Sequence, residues 1–371
     1  WRPNEIERAR GTEREEFSPS GNAWDYFPHD HARSSANRWN EDGLGGVCNR
    51  YQNLCLGVAL WNEQDPILKE RLFGLTGPEG NHGEDDKEYY FYLDSTPTHS
   101  YMKMLYKYPQ VAFPYGDLVR TNGRFSAHQP EYELIDAIGD AFAAGHYFDV
   151  FIEYAKADEE DILCQISVIN RAAAAAPIQV LPHCWFRNTW SWGYQRPRGM
   201  LLQRNEQSIY TNHRHLGERW WYIDVGDQTV PLLFTENETN TARLFNQPSR
   251  TPYVKDSIND FVIGGQIIRV NPARRGSKAA AQFRAMVAPG DTFTVRTRFT
   301  NLEMDEPFGE FTAVFDQRVA EADEFYEVIQ EPSLTKDEKM VQRQAFAGLL
   351  WTKQFYHYGF DLWLEGDPYQ P

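Results

Sequence analysis

Apolar and polar residues alternate over long stretches in the middle of the chain. Between positions 292 and 299 every second residue is apolar or threonine, and Arg296 and Arg298 fall on the opposite face. A period of two is typical of a strand with one buried face, and many such strands with few helices favour a large antiparallel β-sandwich. The same reasoning predicts strands at Leu54–Trp61, Glu88–Leu93, Tyr147–Tyr154, Ile162–Asn170, Ile178–Phe186, Trp220–Val225, Val230–Phe234, Gln282–Val287 and Thr292–Phe299. The last two are predicted to form a hairpin across the turn residues Ala288–Asp291.

Towards its C-terminal end the pattern changes to a helical period. Asp316–Gln330 has helical spacing and stops before a proline. Thr335 followed by Glu338 has the form of a capping box, which predicts a second helix from there to about Tyr358. The sequence therefore predicts a β-sandwich domain, a linker helix and the start of a helical domain that continues in further sequence. The predicted bounds are 1–310, 311–332 and 333–371.

Other segments have no clear period. Residues 1 to about 50 are polar and aromatic with poor periodicity, and the density of charges, aromatics and glycines in Trp24–Gly46 predicts a long ordered loop there. Two alanine-rich runs, Ala172–Ala176 and Ala279–Ala281, fall between predicted strands and are interpreted as plain loops. Alternatively, alanine stands there for side chains of uncertain identity.

Composition narrows the classes of function. The net charge of −16 disfavours a nucleic-acid partner. The apolar runs are far shorter than the roughly 18 residues of a membrane span, so no membrane partner is expected. The four cysteines form no C-x-x-C pair, which favours a reducing, cytoplasmic location. Tyr, Phe and Trp make up 15% of the chain, which suits sugar binding but equally a packed β-sandwich. Because phosphate loops and zinc-finger spacings are missing from the sequence, we expect no cofactor.

The segment Trp24–Gly43 concentrates polar chemistry. Its two imidazoles lie beside several carboxylates and guanidinium groups, and three interpretations stay open. His-x-His near aspartate could bind a metal, the charges could form a purely structural salt-bridged loop, or the loop could face a sugar. The candidate residues are Trp24, Asp25, His29, Asp30, His31, Arg33, Arg38, Trp39, Glu41 and Asp42.

A second polar run, from Asn81 to Tyr101, leads into an aromatic strand. Glu84 and Asp85 could act as a general acid and base, but adjacent residues of an extended chain point to opposite faces. The alternatives are a solvated charge run and a contact with a ligand or neighbouring domain. The candidate residues are His82, Glu84, Asp85, Lys87, Tyr89, His99 and Tyr101. Further along, Trp185, Arg187, Trp190 and Trp192 form a cluster that either lines a groove or packs in the core, and Asn237–Thr239 is a glycosylation triplet.

Several long strings resemble one known family. They are Trp24–Arg33, Arg38–Gly43, Asp65–Leu75, Asn81–Asp85, Trp185–Trp190, Arg343–Trp351 and Trp363–Pro368. Together they resemble the N-terminal region of the long, bacterial-type glucosidases of glycoside hydrolase family 63, and the resemblance spans essentially the whole chain. Ser35 and Asn37 are smaller than the residues of the family pattern, which leaves room for a different substrate preference.

This resemblance implies a β-sandwich followed by an (α/α)6 barrel. It also implies inverting hydrolysis of α-glucosidic bonds by an Asp general acid and a Glu general base. In the family both carboxylates belong to the barrel, beyond the position of Pro371, so no catalytic residue is assigned to this chain. The expected partners are an oligosaccharide substrate and the protein's own C-terminal helical domain. The alternative hypothesis is a stand-alone carbohydrate-binding or assembly module.

Overall fold

The computed structural model of the protein describes residues 1–3, 28–36, 42–81, 85–193, 198–353 and 364, with Asp85 and Trp192 described by their backbone alone. The described strands are β1 (Arg2–Pro3), β2 (Leu44–Cys48), β3 (Leu54–Trp61), β4 (Gly74–Leu75), β5 (Asp85–Asp86), β6 (Tyr90–Ser95), β7 (Tyr101–Pro109), β8 (Tyr147–Asp158), β9 (Asp161–Asn170), β10 (Ala176–Phe186), β11 (Leu201–Asn205), β12 (Ser208–His213), β13 (Gly217–Ile223), β14 (Leu232–Thr235), β15 (Arg275–Gly276), β16 (Lys278–Ala281), β17 (Phe283–Val287) and β18 (Thr292–Thr300). The described helices are α1 (His29–Ala32), α2 (Tyr115–Asn122), α3 (Leu134–Ala143), α4 (Thr241–Phe245), α5 (Ser257–Val262), α6 (Phe311–Ile329) and α7 (Lys336–Trp351). Short 3-10 turns lie at Gly77–Glu79, Trp190–Trp192 and Ile267–Arg269.

Two large antiparallel sheets form the body of the molecule. One has nine strands in the order β15-β11-β12-β13-β18-β9-β8-β7-β6. The other has seven strands in the order β1-β2-β3-β10-β16-β14, with β17 also paired to β10. Apolar residues from both sheets form a single buried cluster, including Val58 and Leu60 from one and Val150 and Ile152 from the other. The predicted antiparallel β-sandwich is therefore confirmed.

Strand β10 organises the seven-stranded sheet. One edge pairs with β3 along Gln179–Phe186, while the other pairs with β17 over Ala176–Val180 and with β16 over His183–Trp185. Pro182 lies where the partner changes from β17 to β16. Because proline has no N–H to donate, this gap in the ladder is a position that tolerates it.

The predicted hairpin between Gln282–Val287 and Thr292–Phe299 is wrong. β17 pairs with β10 in the seven-stranded sheet, whereas β18 pairs with β9 and β13 in the nine-stranded sheet. The connecting turn crosses from one sheet to the other. Asn170 holds this crossing, because its side-chain Nδ2 donates to the carbonyl oxygen of Val287 and its backbone bonds to Gly290 and Asp291.

Other predictions differ from the structure in more local ways. Leu54–Trp61 is confirmed to the residue, and most other predicted strands lie within a few residues of observed ones. Ala279–Ala281, interpreted as a loop, is instead part of β16 and fully buried between β10 and β14. Trp24–Gly46, predicted as a long loop, contains α1 and the start of β2, and much of the rest lies outside the described residues.

The two C-terminal helices lie against the nine-stranded sheet. Phe311, Phe315 and Ala322 of α6 pack on Tyr101 and its neighbours on the outer face of that sheet. The predicted capping box of α7 is confirmed, since the Thr335 side chain accepts from the backbone N–H of Glu338 and the Glu338 side chain accepts from that of Thr335. The described part of α7 ends at Trp351, short of the predicted Tyr358, and the residues from 354 to 363 lie outside the described part of the chain.

The indole of Trp351 anchors α7 to the sheet edge. It stacks on Tyr92 with ring centroids 5.1 Å apart, and its Nε1 donates to the backbone oxygen of Asp94 over 2.9 Å. Arg343 then joins the two helices to β6, because its guanidinium binds the carboxylates of Asp94 and Asp323.

Candidate functional site

A charged cluster lies buried on the outer face of the seven-stranded sheet. Its members are Asp42, Glu70, Arg71, His183, Lys255 and Lys278, each less than a tenth exposed. Side chains on alternate positions of β10 explain the placement: Ile178 and Val180 point into the core between the sheets, while Leu181 and His183 point outward. Helix α5 and its flanks cover this outer face, so the charges are removed from water.

Asp42 and Lys255 form the centre of the charged cluster. The Lys255 Nζ lies 2.7 Å from Asp42 Oδ2 and also donates to the backbone oxygens of Ala32 and Ser35. Burial raises the pKa of Asp42, but the charges of Lys255 and Arg71 outweigh burial and hold that pKa below its usual value. The pair therefore fastens the segment after α1 to the rest of the sandwich.

Glu70, Lys278 and His183 form the second half of the cluster. Lys278 Nζ lies 2.7 Å from Glu70 Oε2, and the Nε2 of His183 lies 3.9 Å from the same oxygen. The other ring nitrogen of His183 donates to the backbone oxygen of Leu181 over 2.7 Å. Burial, assisted by the charge of Lys278, lowers the pKa of His183 to about 3, so the ring is neutral at pH 7.

Among the predicted site residues, those of α1 lie at the rim of this cluster. His29 is buried and stacks on Tyr115 with ring centroids 5.4 Å apart. Asp30 is largely exposed; both its oxygens accept from Arg243, and Oδ1 also accepts from Arg33. Burial raises the pKa of Asp30, but the two arginines outweigh it and lower the pKa overall. His31 is exposed on the same turn of helix.

Lys87 and Tyr89 both contact the start of α3 and fix its position. The buried Lys87 Nζ lies 2.6 Å from Glu131 and 3.0 Å from Glu133, just before α3. The Tyr89 hydroxyl accepts from the backbone N–H of Ile135. These contacts give both residues a structural role in the described part of the chain.

The segment Lys69–Phe73 joins these two groups. Lys69 binds Glu88 over 2.5 Å and lies 3.9 Å from the centroid of the Phe113 ring, while Arg71 faces Asp42. Phe73 packs edge-on against His29. Burial raises the pKa of Glu88, with the Lys69 charge opposing it. These contacts bring together two parts of the chain that are separate in sequence: α1, which precedes β2, β3 and β4, and Glu88, which follows them.

His99 and Tyr101 lie elsewhere. Tyr101 begins β7 and His99 lies in the turn just before it, whereas Lys107 near the end of that strand bonds to Tyr89. The two ends of the strand are about 20 Å apart at roughly 3.4 Å per residue. The Tyr101 hydroxyl donates to Glu153 and its ring packs under α6. Burial lowers the pKa of His99 to about 4. These two residues do not join the charged cluster.

Several candidates have no described side chain. Asp85 belongs to β5 through its backbone, opposite Leu75. The others lie outside the described residues: Trp24, Asp25, Arg38, Trp39, Glu41, His82 and Glu84. Their predicted roles stay predictions.

A second polar group, the Trp190 cluster, adjoins the charged cluster and consists of Trp190, Arg198, Glu236 and Glu238. The Trp190 Nε1 donates to Glu238 Oε1 over 2.6 Å, and the Arg198 guanidinium lies 5.9 Å from the Trp190 ring centroid. Arg198 also pairs with Glu236. A half-exposed indole next to carboxylates and a guanidinium can stack on a sugar ring and exchange hydrogen bonds with its hydroxyls.

Sequence reasoning missed most of these partners. Lys255, Lys278 and Glu236 were not singled out, and Glu238 was noted only as the middle residue of the glycosylation triplet. Each is ordinary in its local pattern and acquires its role through contacts with distant segments. One signal was present, namely the polar run that directly follows the apolar strand β14. Within that run Asn237 is 2% exposed and its Nδ2 donates to the carbonyl oxygen of Phe186, so in the folded chain its amide is committed to the fold.

The chemistry of the site is that of binding and positioning. Asp42, Glu70, Glu88 and Glu236 each face a cation within ion-pair distance. For Asp42 the neighbouring positive charges hold the pKa below its usual value, which makes that carboxylate a poor proton acceptor. Among the residues the structure describes, no group of three His, Cys, Asp or Glu side chains could hold a metal ion. Within the same ranges, none of the helices has the length and apolar character needed to cross a membrane.

Comparison with known proteins gives one close relative in sequence. The chain is 41% identical over 409 aligned positions to Uncharacterized protein YMR196W of Saccharomyces cerevisiae. The alignment covers 99% of this chain and 38% of the yeast protein, so the chain spans well under half the length of that relative. No family model matches the chain.

Solved structures resemble the chain only distantly. A putative aldose 1-epimerase of Escherichia coli K12 aligns at a TM-score of 0.27 with 8% identity, over 56% of this chain and 67% of its own. A putative kojibiose phosphorylase from the human microbiome gives 0.21 and 8%, over 54% and 21%. A family GH92 α-mannosidase of Bacteroides thetaiotaomicron gives 0.19 and 12%, over 54% and 22%. Because these TM-scores are low, the β-sandwich assignment rests on the two sheets described above.

Proposed function

We propose that this chain is the N-terminal β-sandwich part of a glycoside hydrolase resembling family 63. The full protein would cleave α-glucosidic bonds of oligosaccharides with inversion, using a carboxylic acid and a carboxylate supplied by a helical domain outside this chain. The sandwich would pack on that domain and help to wall its active site through α1 and the loops around the charged cluster.

The observation that carries the proposal is an apolar stripe on α7. One side of α7 is anchored to β6 by Trp351, and on another side Val341, Ala345 and Leu349 recur every fourth residue in exposed positions. Val341 is 58% exposed and Leu349 is 69% exposed. A contiguous apolar stripe on a surface helix is typical of a helix that packs against a further element. The greater length of the yeast relative supplies room for such a domain.

The activity is tested with the full-length protein and a panel of α-linked glucose disaccharides, with the anomeric proton followed by NMR. We expect β-glucose to appear first, because an inverting enzyme delivers water to the opposite face of the sugar ring. Release of α-glucose first would contradict inversion. Binding of glucans without hydrolysis would favour a carbohydrate-binding module. A protein that neither binds nor hydrolyses glucans would refute a role in sugar chemistry.

The wall role is tested by Asp30→Ala and His31→Ala, both on the exposed turn α1. If α1 faces the substrate, each change should lower kcat/KM about tenfold, equivalent to ~1.4 kcal/mol, with little change in melting temperature. The matched control is Asp117→Ala, since Asp117 is also an exposed aspartate paired with an arginine three residues on. Equal kinetics for Asp30→Ala and the control would contradict the wall role.

A further inference from the structure

Cys48 and Cys55 face each other across two neighbouring strands. They are directly opposite in the ladder of β2 and β3, and both are fully buried beside Trp185. The next pair along, Asn49 and Leu54, is hydrogen-bonded through the Asn49 N–H. Because hydrogen-bonded and non-hydrogen-bonded pairs alternate in an antiparallel ladder, the cysteines occupy a non-hydrogen-bonded position, where Cα atoms lie about 4.5 Å apart.

That spacing lies within the range of disulfide geometry, about 4.4–6.8 Å between Cα atoms. Neither Cys48 nor Cys55 is part of a disulfide in this structure. The other two cysteines lack such a neighbour in the ladder, since Cys164 faces Tyr154 and Thr297, and Cys184 faces Leu56 and Ala279. Cys48 and Cys55 are therefore a matched pair, distinct from the other buried thiols.

The surroundings of the pair favour a thiolate at one sulfur. Burial raises the pKa of Cys48, but a hydrogen bond from Cys55 and the positive charges of Arg2 and Arg187 outweigh burial and bring that pKa below its usual value. Burial, together with Cys48, raises the pKa of Cys55. Since the thiolate is the nucleophile in thiol oxidation, this difference in pKa would make Cys48 the attacking thiol and Cys55 the resolving one.

We propose that Cys48 and Cys55 are a modification site at which a peroxide forms a reversible intramolecular disulfide. The Cys48 thiolate attacks one peroxide oxygen, which gives a sulfenic acid and releases hydroxide. Cys55 then attacks the Cys48 sulfur, the S–O bond breaks, and water leaves. The balance is two thiols and one hydrogen peroxide giving one disulfide and two waters, with both electrons passing from sulfur to peroxide. A dithiol reverses the step.

Access to the buried pair requires a small, local opening. Among the residues the structure describes, the edge of β2 away from β3 pairs with the two-residue strand β1, whose Arg2 lies opposite Cys48. Short edge strands open at little cost, so the pair is reachable without unfolding the sandwich. The bond would clip the loop between β2 and β3 beneath Trp185, whose ring lies against Gly43, next to Asp42 of the charged cluster.

The test is a mass-spectrometric map of the full-length protein after treatment with hydrogen peroxide, alkylation and trypsin digestion. Arg50 lies between the two cysteines, so trypsin places Cys48 in the peptide 39–50 and Cys55 in the peptide 51–69. We expect these two peptides to be joined in the oxidised sample and separated by dithiothreitol. Cys164, whose pKa burial raises to about 12, should stay alkylatable after denaturation in every sample.

Cys55→Ser separates the two steps of the proposal. This variant should stop at the Cys48 sulfenic acid, trapped by dimedone, and should form no joined peptides, while Cys164→Ser should behave as the wild type. Three results would each overturn the proposal: free peptides 39–50 and 51–69 in a large excess of peroxide, a join from Cys55 to Cys184 instead, or irreversible oxidation of Cys48 in the wild type.

Discussion

The Asp42–Lys255 pair gives the sharpest test of how this sandwich is held together. In Asp42→Asn the buried Lys255 ammonium keeps its two carbonyl partners but loses the carboxylate that lies 2.7 Å away. Removing one member of a buried ion pair costs about 3–5 kcal/mol, because the remaining charge stays desolvated. At ~2.1 cal/mol/K per residue, the unfolding entropy of 371 residues is about 0.8 kcal/mol/K, so the melting temperature should fall by about 4–6 °C.

The pH dependence of this loss has a definite sign. The pKa of Asp42 is lower in the folded chain than its usual value near 4, so the pair stabilises the protein fully above about pH 4 and loses its effect as the pH falls through the folded-state pKa. The gap between wild type and Asp42→Asn should therefore be constant from pH 6 to 8 and narrow in acid. Differential scanning calorimetry from pH 8 down into acid measures this difference in stability.

A control and a double variant complete the design. Asp30→Asn removes a carboxylate that also binds arginine but is 59% exposed, and should cost no more than about 1 kcal/mol. Asp42→Leu combined with Lys255→Met should lose less than Asp42→Asn alone, because the Lys255 ammonium is removed together with its partner carboxylate. Equal losses for Asp42→Asn and Asp30→Asn would refute the assignment of Asp42 to a desolvated pair.

Three further expectations concern other parts of the fold. Trp351→Ala should cost about 3–5 kcal/mol in urea unfolding, because it removes the buried anchor of α7; a loss below 1 kcal/mol would mean that α7 is held by other contacts. Thr335→Ala should cost about 1 kcal/mol in the same assay by removing the cap of α7, whereas Thr335→Ser should cost little. His183 is neutral in the folded chain and protonates more readily when unfolded, so its stabilising effect is complete above about pH 6.5 and falls towards pH 3. Between pH 7 and 4.5 the wild type should lose about 2–3 kcal/mol from this source; His183→Gln should lack that slope and His215→Gln should retain it.

The sequence predicts those features of the fold that depend on nearby residues. Leu54–Trp61 and the start of α7 at Thr335 were predicted correctly, because an apolar run bounded by turns and a capping box are local signals. The pairing of β17 was not predictable in this way. The turn between β17 and β18 predicted a hairpin, but β17 pairs instead with an edge of β10, which is distant in sequence.

The candidate site shows the same division. Asp42 was recognised as polar and potentially functional, yet nothing near it in sequence indicated Lys255 or Arg71 as partners. Likewise Lys87 was grouped with a charge run, and only the fold shows that it is buried between two glutamates. The sequence pattern shows which residues have side chains that could bind or react. Burial and ion pairing in the fold decide which of them can still contact a ligand.

The way β10 shares its second edge between two strands has a consequence for synthesis of the protein. Phe186 leaves the ribosome well before Lys278, by about 5–20 s at ~5–20 residues per second. During that interval β10 can pair with β3, but the edge that will receive β16 and β17 has no partner from the described sandwich strands. An open apolar strand edge is a template for association with other chains. Nascent copies would therefore be most exposed to aggregation just before residues 278–287 emerge, which makes this short region a determinant of yield in the cell as well as of the finished sheet.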